Sequence, residues 1–130
     1  MKIKLAFIMA MFPFLFGCTT TQRSFDSVSV EEFQKVLSGP HVVCLDVRTP
    51  EEYCVSHINN AVNINVLSED FEQQVLSRLP KGEIIAVYCR SGNRSKKACS
   101  ILVKNKFNKV VELSSGINGW IDAGKETVKK

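Results

Sequence analysis

The chain has 130 residues, of which 45% are hydrophobic and 23% charged, and a net charge of +4 at pH 7. This length supports one domain rather than two, and the ordinary composition argues against a disordered chain. The charge is modest and no basic–aromatic interleaving occurs, so nucleic acid is not an expected partner.

The first seventeen residues read as a signal peptide. MKIK supplies a positive start, and LAFIMAMFPFLF, broken by Pro13, an apolar stretch of about 12 residues. A bilayer span needs roughly 20. Leu15-Phe16-Gly17-Cys18 then resembles the lipobox of bacterial lipoproteins, with leucine three before the cysteine and a small residue just before it. The resemblance implies that Cys18 becomes the lipidated first residue of an exported protein, anchored to a membrane of the bacterial envelope. Plain secretion and a retained helix are the alternatives. Residues 18–26 form the lipidated tether, whose polar TTTQRSFD reaches at most ~28 Å. The domain proper is expected over residues 27–125. Residues 126–130, closing on Lys129-Lys130, read as a solvated polar tail.

Ser29-Val30-Glu31-Glu32 is a capping box that opens a helix with Val30, Phe33 and Leu37 on one face; Gly39-Pro40 ends it. HVVCLDV, 41–47, is a near-continuous apolar run, as expected of a strand buried on both faces of a parallel sheet. Thr49-Pro50-Glu51-Glu52 starts a second helix, with proline at its first position. AVNINV, 61–66, reads as a short strand. Ser68 is expected to cap a helix with Glu69 and Asp70 in its first turn, with Phe71, Val75 and Leu79 buried and Pro80 as the stop. EIIAVY, 83–88, is the most strand-like segment, and 93–107 is helical with Ala98, Ile101 and Leu102 on one face. KVVEL, 109–113, and INGWIDAG, 117–124, give a last strand and a last helix. The alternation predicts an α/β sandwich with a largely parallel sheet.

Ligands of open α/β sheets sit beyond the carboxyl ends of the strands. The strand 83–88 ends there in CRSGNRS, residues 89–95. Gly92 lets the loop curl, and successive backbone amides in such a curl form an anion nest. The start of the following helix, near Asn93, points its free amides at the same spot. Arg90 and Arg94 add two permanent charges. All of these favour a thiolate at Cys89, the reactive form of cysteine. Nucleophile and anion seat therefore coincide.

Cys89-Arg90-Ser91-Gly92-Asn93-Arg94-Ser95 resembles the active-site loop of the single-domain rhodaneses, the thiosulfate sulfurtransferases. Leu45-Asp46-Val47-Arg48-Thr49-Pro50-Glu51-Glu52-Tyr53 with His57-Ile58 and Ala61 is similar to the first rhodanese signature. Leu113-Ser114-Ser115-Gly116 through Gly119-Trp120 is similar to the closing one. The family's usual Gly-His-Ile-Pro-Gly-Ala is here Ser56-His57-Ile58-Asn59-Asn60-Ala61, and its double glycine is Ser115-Gly116.

The resemblance implies a rhodanese-like three-layer sandwich and a persulfide mechanism. Cys89 takes sulfane sulfur from a small anionic donor such as thiosulfate. Residues 90–94 (Arg90, Ser91, Gly92, Asn93 and Arg94) bind the substrate. Cyanide, a thiol or a protein cysteine accepts the sulfur, and no cofactor or metal is needed. Asp46 and Arg48, two residues apart on one strand face, are expected as an internal ion pair, His57 as a turn-stabilising residue and Trp120 as core. A monomer is the expectation.

Two other readings compete. One is an inactive module of this fold used for binding. The other is a cysteine-dependent phosphatase or arsenate reductase, whose signature places five residues between cysteine and arginine; here four separate Cys89 from Arg94. Cys44 and Cys99 read as packed thiols, Cys54 as unassigned with a disulfide to Cys44 left open, and no C-x-x-C supports a redox pair or a zinc site.

Overall fold

The computed structural model describes residues 24–130, so the expected signal peptide, 1–17, and Cys18 lie outside the described residues. In chain order the elements are β1 (Asp26–Val28), α1 (Val30–Leu37), β2 (Val42–Asp46), α2 (Pro50–Val55) and β3 (Val62–Asn63). There follow α3 (Phe71–Arg78), β4 (Ile84–Tyr88), α4 (Arg94–Lys104), β5 (Val110–Leu113) and α5 (Gly116–Asp122). The sheet order is β1-β5-β4-β2-β3, and every pairing is parallel.

The apolar strands lie at the centre of this order because both their faces are covered. Side chains alternate across β4. Ile85 and Val87 join Leu45, Val47 and Val110 beneath Phe71 and Val75 of α3 and Ala98, Cys99 and Leu102 of α4. Ala86 and Tyr88 join Cys44 and Leu113 on the other face, against Val30 and Phe33 of α1 and Ile117 and Trp120 of α5. Two cores on one sheet make the three layers. Phe33 anchors the second core, edge-on to both Tyr88 and Trp120 at centroid distances of 6.5 and 6.3 Å.

Two ends of the chain differ from the sequence reading. The tether was expected to run through residue 26, but Asp26–Val28 is an edge strand in register with Val111–Leu113 of β5. Its pairing is made by backbone groups, and three largely exposed residues carry too little pattern to show it. Residues 126–130, expected as a solvated tail, do keep mostly exposed side chains, but their backbone is hydrogen-bonded to the domain. The Trp120 indole donates to the Glu126 carbonyl at 2.8 Å, and Val128 exchanges two 2.8 Å backbone hydrogen bonds with His57. The reason is again backbone satisfaction: a buried His57 amide needs a partner, and the tail supplies it.

Smaller differences are local. Helix α3 starts at Phe71 with Asp70, not Ser68, at its cap position; Ser68 instead donates its hydroxyl to Asp70. Of the predicted strand 61–66, Val62 and Asn63 stand in strand register with β2, while Ile64 and Val66 donate to the Asp46 and Val47 carbonyls beyond it.

Candidate active site

The site is built where β4 gives way to α4. Cys89 follows the last residue of β4 and is 1% exposed. Residues 90–93 turn the chain and α4 begins at Arg94. Gly92 sits at φ +105°, and a Cβ there would lie 2.3 Å from the Ser114 carbonyl oxygen. Only glycine meets both conditions. The curl aims the Gly92 amide at the Cys89 sulfur, 3.1 Å away. From the opposite side the first amides of α5 clamp the loop: Ile117 donates to the Cys89 carbonyl at 2.9 Å and Asn118 to the Arg90 carbonyl at 3.1 Å. That close approach fixes the glycine of Ser115-Gly116, because Gly116 is at φ +66° and a Cβ would stand 2.2 Å from the Arg90 oxygen.

The electrostatics single out one of the three buried thiols among the described residues. Burial, with the Asp46 charge adding to it, pushes Cys44 above the ordinary cysteine range; burial and the Glu112 charge do the same to Cys99. Burial also works against a Cys89 thiolate. There it is outweighed by the hydrogen bonds around the sulfur, those from the amides of Ser95, Gly92 and Ser91 among them, so Cys89 falls below its ordinary value. All four cysteines among the described residues are free.

The two loop arginines part company. Arg90 is exposed and lines a cleft of about 280 Å³, with Arg48, Glu52, Val55, Ile117 and Ile121 among its other walls. Arg94 is engaged in a two-pronged ion pair with Glu52 of α2, at 2.8 and 3.0 Å. The Arg94 bonds, working against partial burial, hold the Glu52 carboxyl down at about 2. Arg94 thus ties α4 to α2, while Arg90 presents the loop's free cation to the cleft.

The remaining predicted residues surround this centre. Asp46 and Arg48 form a buried pair, with a 2.6 Å contact from Nη2 to Oδ2. The same Nη2 donates to the Ser56 carbonyl at 2.7 Å, so the pair also pins the segment before His57. His57 is buried, stacks on Tyr53 at 3.7 Å, and places Nδ1 2.8 Å from the Tyr53 carbonyl. Trp120 lies in the second core. Asn60, in the turn after His57, takes φ +71°. Asparagine tolerates that region better than most residues.

Three residues next to Cys89 carry roles that sequence reading did not assign. Ser95 is fully buried, with its hydroxyl 3.4 Å from the Cys89 sulfur. Glu112 of β5 is fully buried and 2.6 Å from the same hydroxyl. Lys96 reaches Glu112 at 3.1 Å and the Gly92 carbonyl at 3.0 Å. A signal was present: KVVEL puts a carboxylate inside an apolar strand, where a charge needs partners. Among the described residues no group of three or more His, Cys, Asp or Glu is arranged to hold a metal ion.

A family model described as Rhodanese-like domain matches residues 29–123. Protein HIGH ARSENIC CONTENT 1, mitochondrial, of Arabidopsis thaliana is 34% identical over 113 residues, 80% of this chain and 66% of its own length. Thiosulfate sulfurtransferase 16, chloroplastic, of the same plant is 34% identical over 110 residues, 78% of this chain and 91% of its own. Among solved structures, a rhodanese-related protein from Thermoplasma volcanium is similar at a TM-score of 0.71 and 27% identity, covering 82% of this chain and 100% of that one.

Proposed function

Because the chain belongs to the rhodanese-like domain family, we propose that it moves sulfane sulfur from a small anionic donor to a thiophilic acceptor through a persulfide on Cys89. One observation carries the reading: among the described residues, the only buried thiol lowered below its ordinary value is the one that the Gly92 amide meets at 3.1 Å inside the loop. In the first step the Cys89 thiolate attacks the outer sulfur of thiosulfate. The new S–S bond forms as the old one breaks, and sulfite leaves with the bonding pair. In the second step cyanide, a thiol or a protein cysteine attacks the outer persulfide sulfur and Cys89 leaves as thiolate. No net oxidation occurs and no cofactor is required.

Two half-reactions separated by a covalent intermediate give ping-pong kinetics. Thiosulfate and cyanide varied together should give parallel double-reciprocal lines; intersecting lines would reject the two-step reading. Arg90 faces the cleft, so Arg90→Ala should weaken use of doubly charged thiosulfate about tenfold, the value of a charge-assisted contact of ~1.5 kcal/mol. Neutral persulfide donors should lose less. Equal losses would place Arg90 outside donor recognition.

A second reading has one observation behind it: a relative at 34% identity is named for arsenic content. In that reading the same loop would seat arsenate. Arsenite formation by the protein with a thiol reductant, and no uptake of sulfur from thiosulfate, would favour it.

We further propose that the domain is held at an envelope membrane through lipidated Cys18 and works as a monomer. The short apolar N-terminal segment followed by Leu15-Phe16-Gly17-Cys18 supports the anchor, and among the described residues no helix is long and apolar enough to cross a membrane. Metabolic labelling with a fatty-acid analogue should mark the native chain and leave Cys18→Ser unmarked. An unlabelled, soluble native protein would reject the anchor and leave the sulfur chemistry untouched.

A further inference from the structure

The proposed reaction uses Cys89 and the loop amides, and leaves a buried carboxylate unexplained. Glu112 lies on β5, where the two-residue alternation puts it with Val110 on the α4 side of the sheet, the same side as Val87 and Cys89. No part of it is exposed. Three donors converge on it. Ser27 of β1, its register partner, gives a hydroxyl at 2.5 Å; Ser95 gives one at 2.6 Å; Lys96 gives its ammonium at 3.1 and 3.3 Å. Burying a carboxylate this deeply is costly without such partners. A sheet needs no acid there, and Ser95 links it to the reacting sulfur.

Ser95 has one proton and two claimants. Given to Cys89, that proton stabilises a thiolate. Given to Glu112, it leaves an oxygen lone pair facing the sulfur, which accepts from a thiol and repels a thiolate. The contact to Glu112 is 2.6 Å and that to sulfur 3.4 Å, so the closer partner is the acid. We propose that Glu112 is a positioning residue for Cys89: by holding the Ser95 proton, it sets whether Ser95 gives or takes a hydrogen bond at the cysteine sulfur. The inference rests on Cys89 as the sulfur carrier. A thiolate spared one donor is the stronger nucleophile, while the loop amides still keep it accessible. The charged groups around this pair are Lys96 and Arg94 of α4, Arg90 of the loop and Glu52 of α2, which is bound to Arg94. Cys99 of α4 is the other thiol nearby.

The test is the pH dependence of Cys89 alkylation by iodoacetamide, followed peptide by peptide in the purified protein. In Glu112→Gln the new amide donates to Ser95 and frees its proton for sulfur. The midpoint should fall by about one pH unit, the ordinary scale of one such interaction. The high-pH alkylation rate should fall about threefold, as expected for a thiolate of lower basicity. In a Ser95→Ala background the same Glu112→Gln change should move the midpoint much less. A merely structural Glu112 would leave the midpoint alone, and a through-space charge effect would persist without Ser95; either result overturns the proposal. If Glu112→Gln does not fold, Ser95→Ala alone decides. It should leave the midpoint unchanged or lower, and a rise of about one unit overturns the proposal. Alkylation reads Cys89 whether or not the protein transfers sulfur, so failure here is separate from failure of the sulfurtransferase reading.

Discussion

Replacing Cys89 by serine is expected to lower thiosulfate-dependent sulfur transfer by roughly 10⁴-fold or more, to the background of the uncatalysed reaction. The size follows from the role. The remaining thiols cannot substitute: Cys44 and Cys99 are buried and held above the ordinary range, and Cys54 is exposed on α2, outside the amide curl. A serine hydroxyl in the same place keeps the Gly92 hydrogen bond but is not ionised near neutral pH and forms no persulfide. The fold should survive, because one small atom changes and the Gly92 amide keeps an acceptor. Circular dichroism and thermal melting of Cys89→Ser should match the native protein while turnover disappears. Turnover retained above about a hundredth of native would move the nucleophile elsewhere.

Gly92→Ala is the second large effect, and it acts on stability and chemistry together. The residue is at φ +105°, where an L side chain is strained, and its new Cβ would meet backbone, 2.3 Å from the Ser114 oxygen. A flexible side chain could move aside; the carbonyl of Ser114, just past β5, cannot without disturbing the sheet end. Strain of this kind costs about 1–3 kcal/mol before the clash is counted, so a loss near 3 kcal/mol and a drop in Tm of roughly 10 °C or more are expected. Relief by moving the loop would pull the Gly92 amide off the Cys89 sulfur. The midpoint for Cys89 alkylation should therefore rise and thiosulfate turnover fall. Gly82→Ala is the control: a Cβ there meets nothing within 4 Å, and its Tm should stay within a few degrees of native. Similar losses in the two variants would mean that Gly92 is not held by the contacts described here.

The architecture was legible because it rests on side-chain pattern. The apolar runs 41–47 and 83–88 mark two of the interior strands, and the cap signals at Ser29 and Thr49 mark two helix starts; both side chains cap, but Glu32 does not reach back to Ser29, and the full box closes only at Thr49 with Glu52. Cys89, Gly92 and the start of α4 were legible because a glycine between a strand and a helix leaves few loop shapes. What stayed hidden depends on long-range pairing. Strand β1 and the docked tail are held by backbone groups of distant segments, which no local composition encodes. Arg94 reads as a substrate cation from its place in the loop, but its partner Glu52 is 42 residues away. Glu112 was visible only as an acid in an apolar strand; its link to Cys89 runs through Ser95, 17 residues earlier, and appears once β5 and α4 are packed together.

The central claim is that Cys89 carries sulfur, and intact-protein mass spectrometry after brief thiosulfate treatment tests it most directly. The account predicts a gain of one sulfur atom, mapped to the Cys89 peptide, lost on addition of cyanide and absent in Cys89→Ser. A native protein that gains no sulfur, or gains it at Cys54 while Cys89 stays a free thiol, would contradict it.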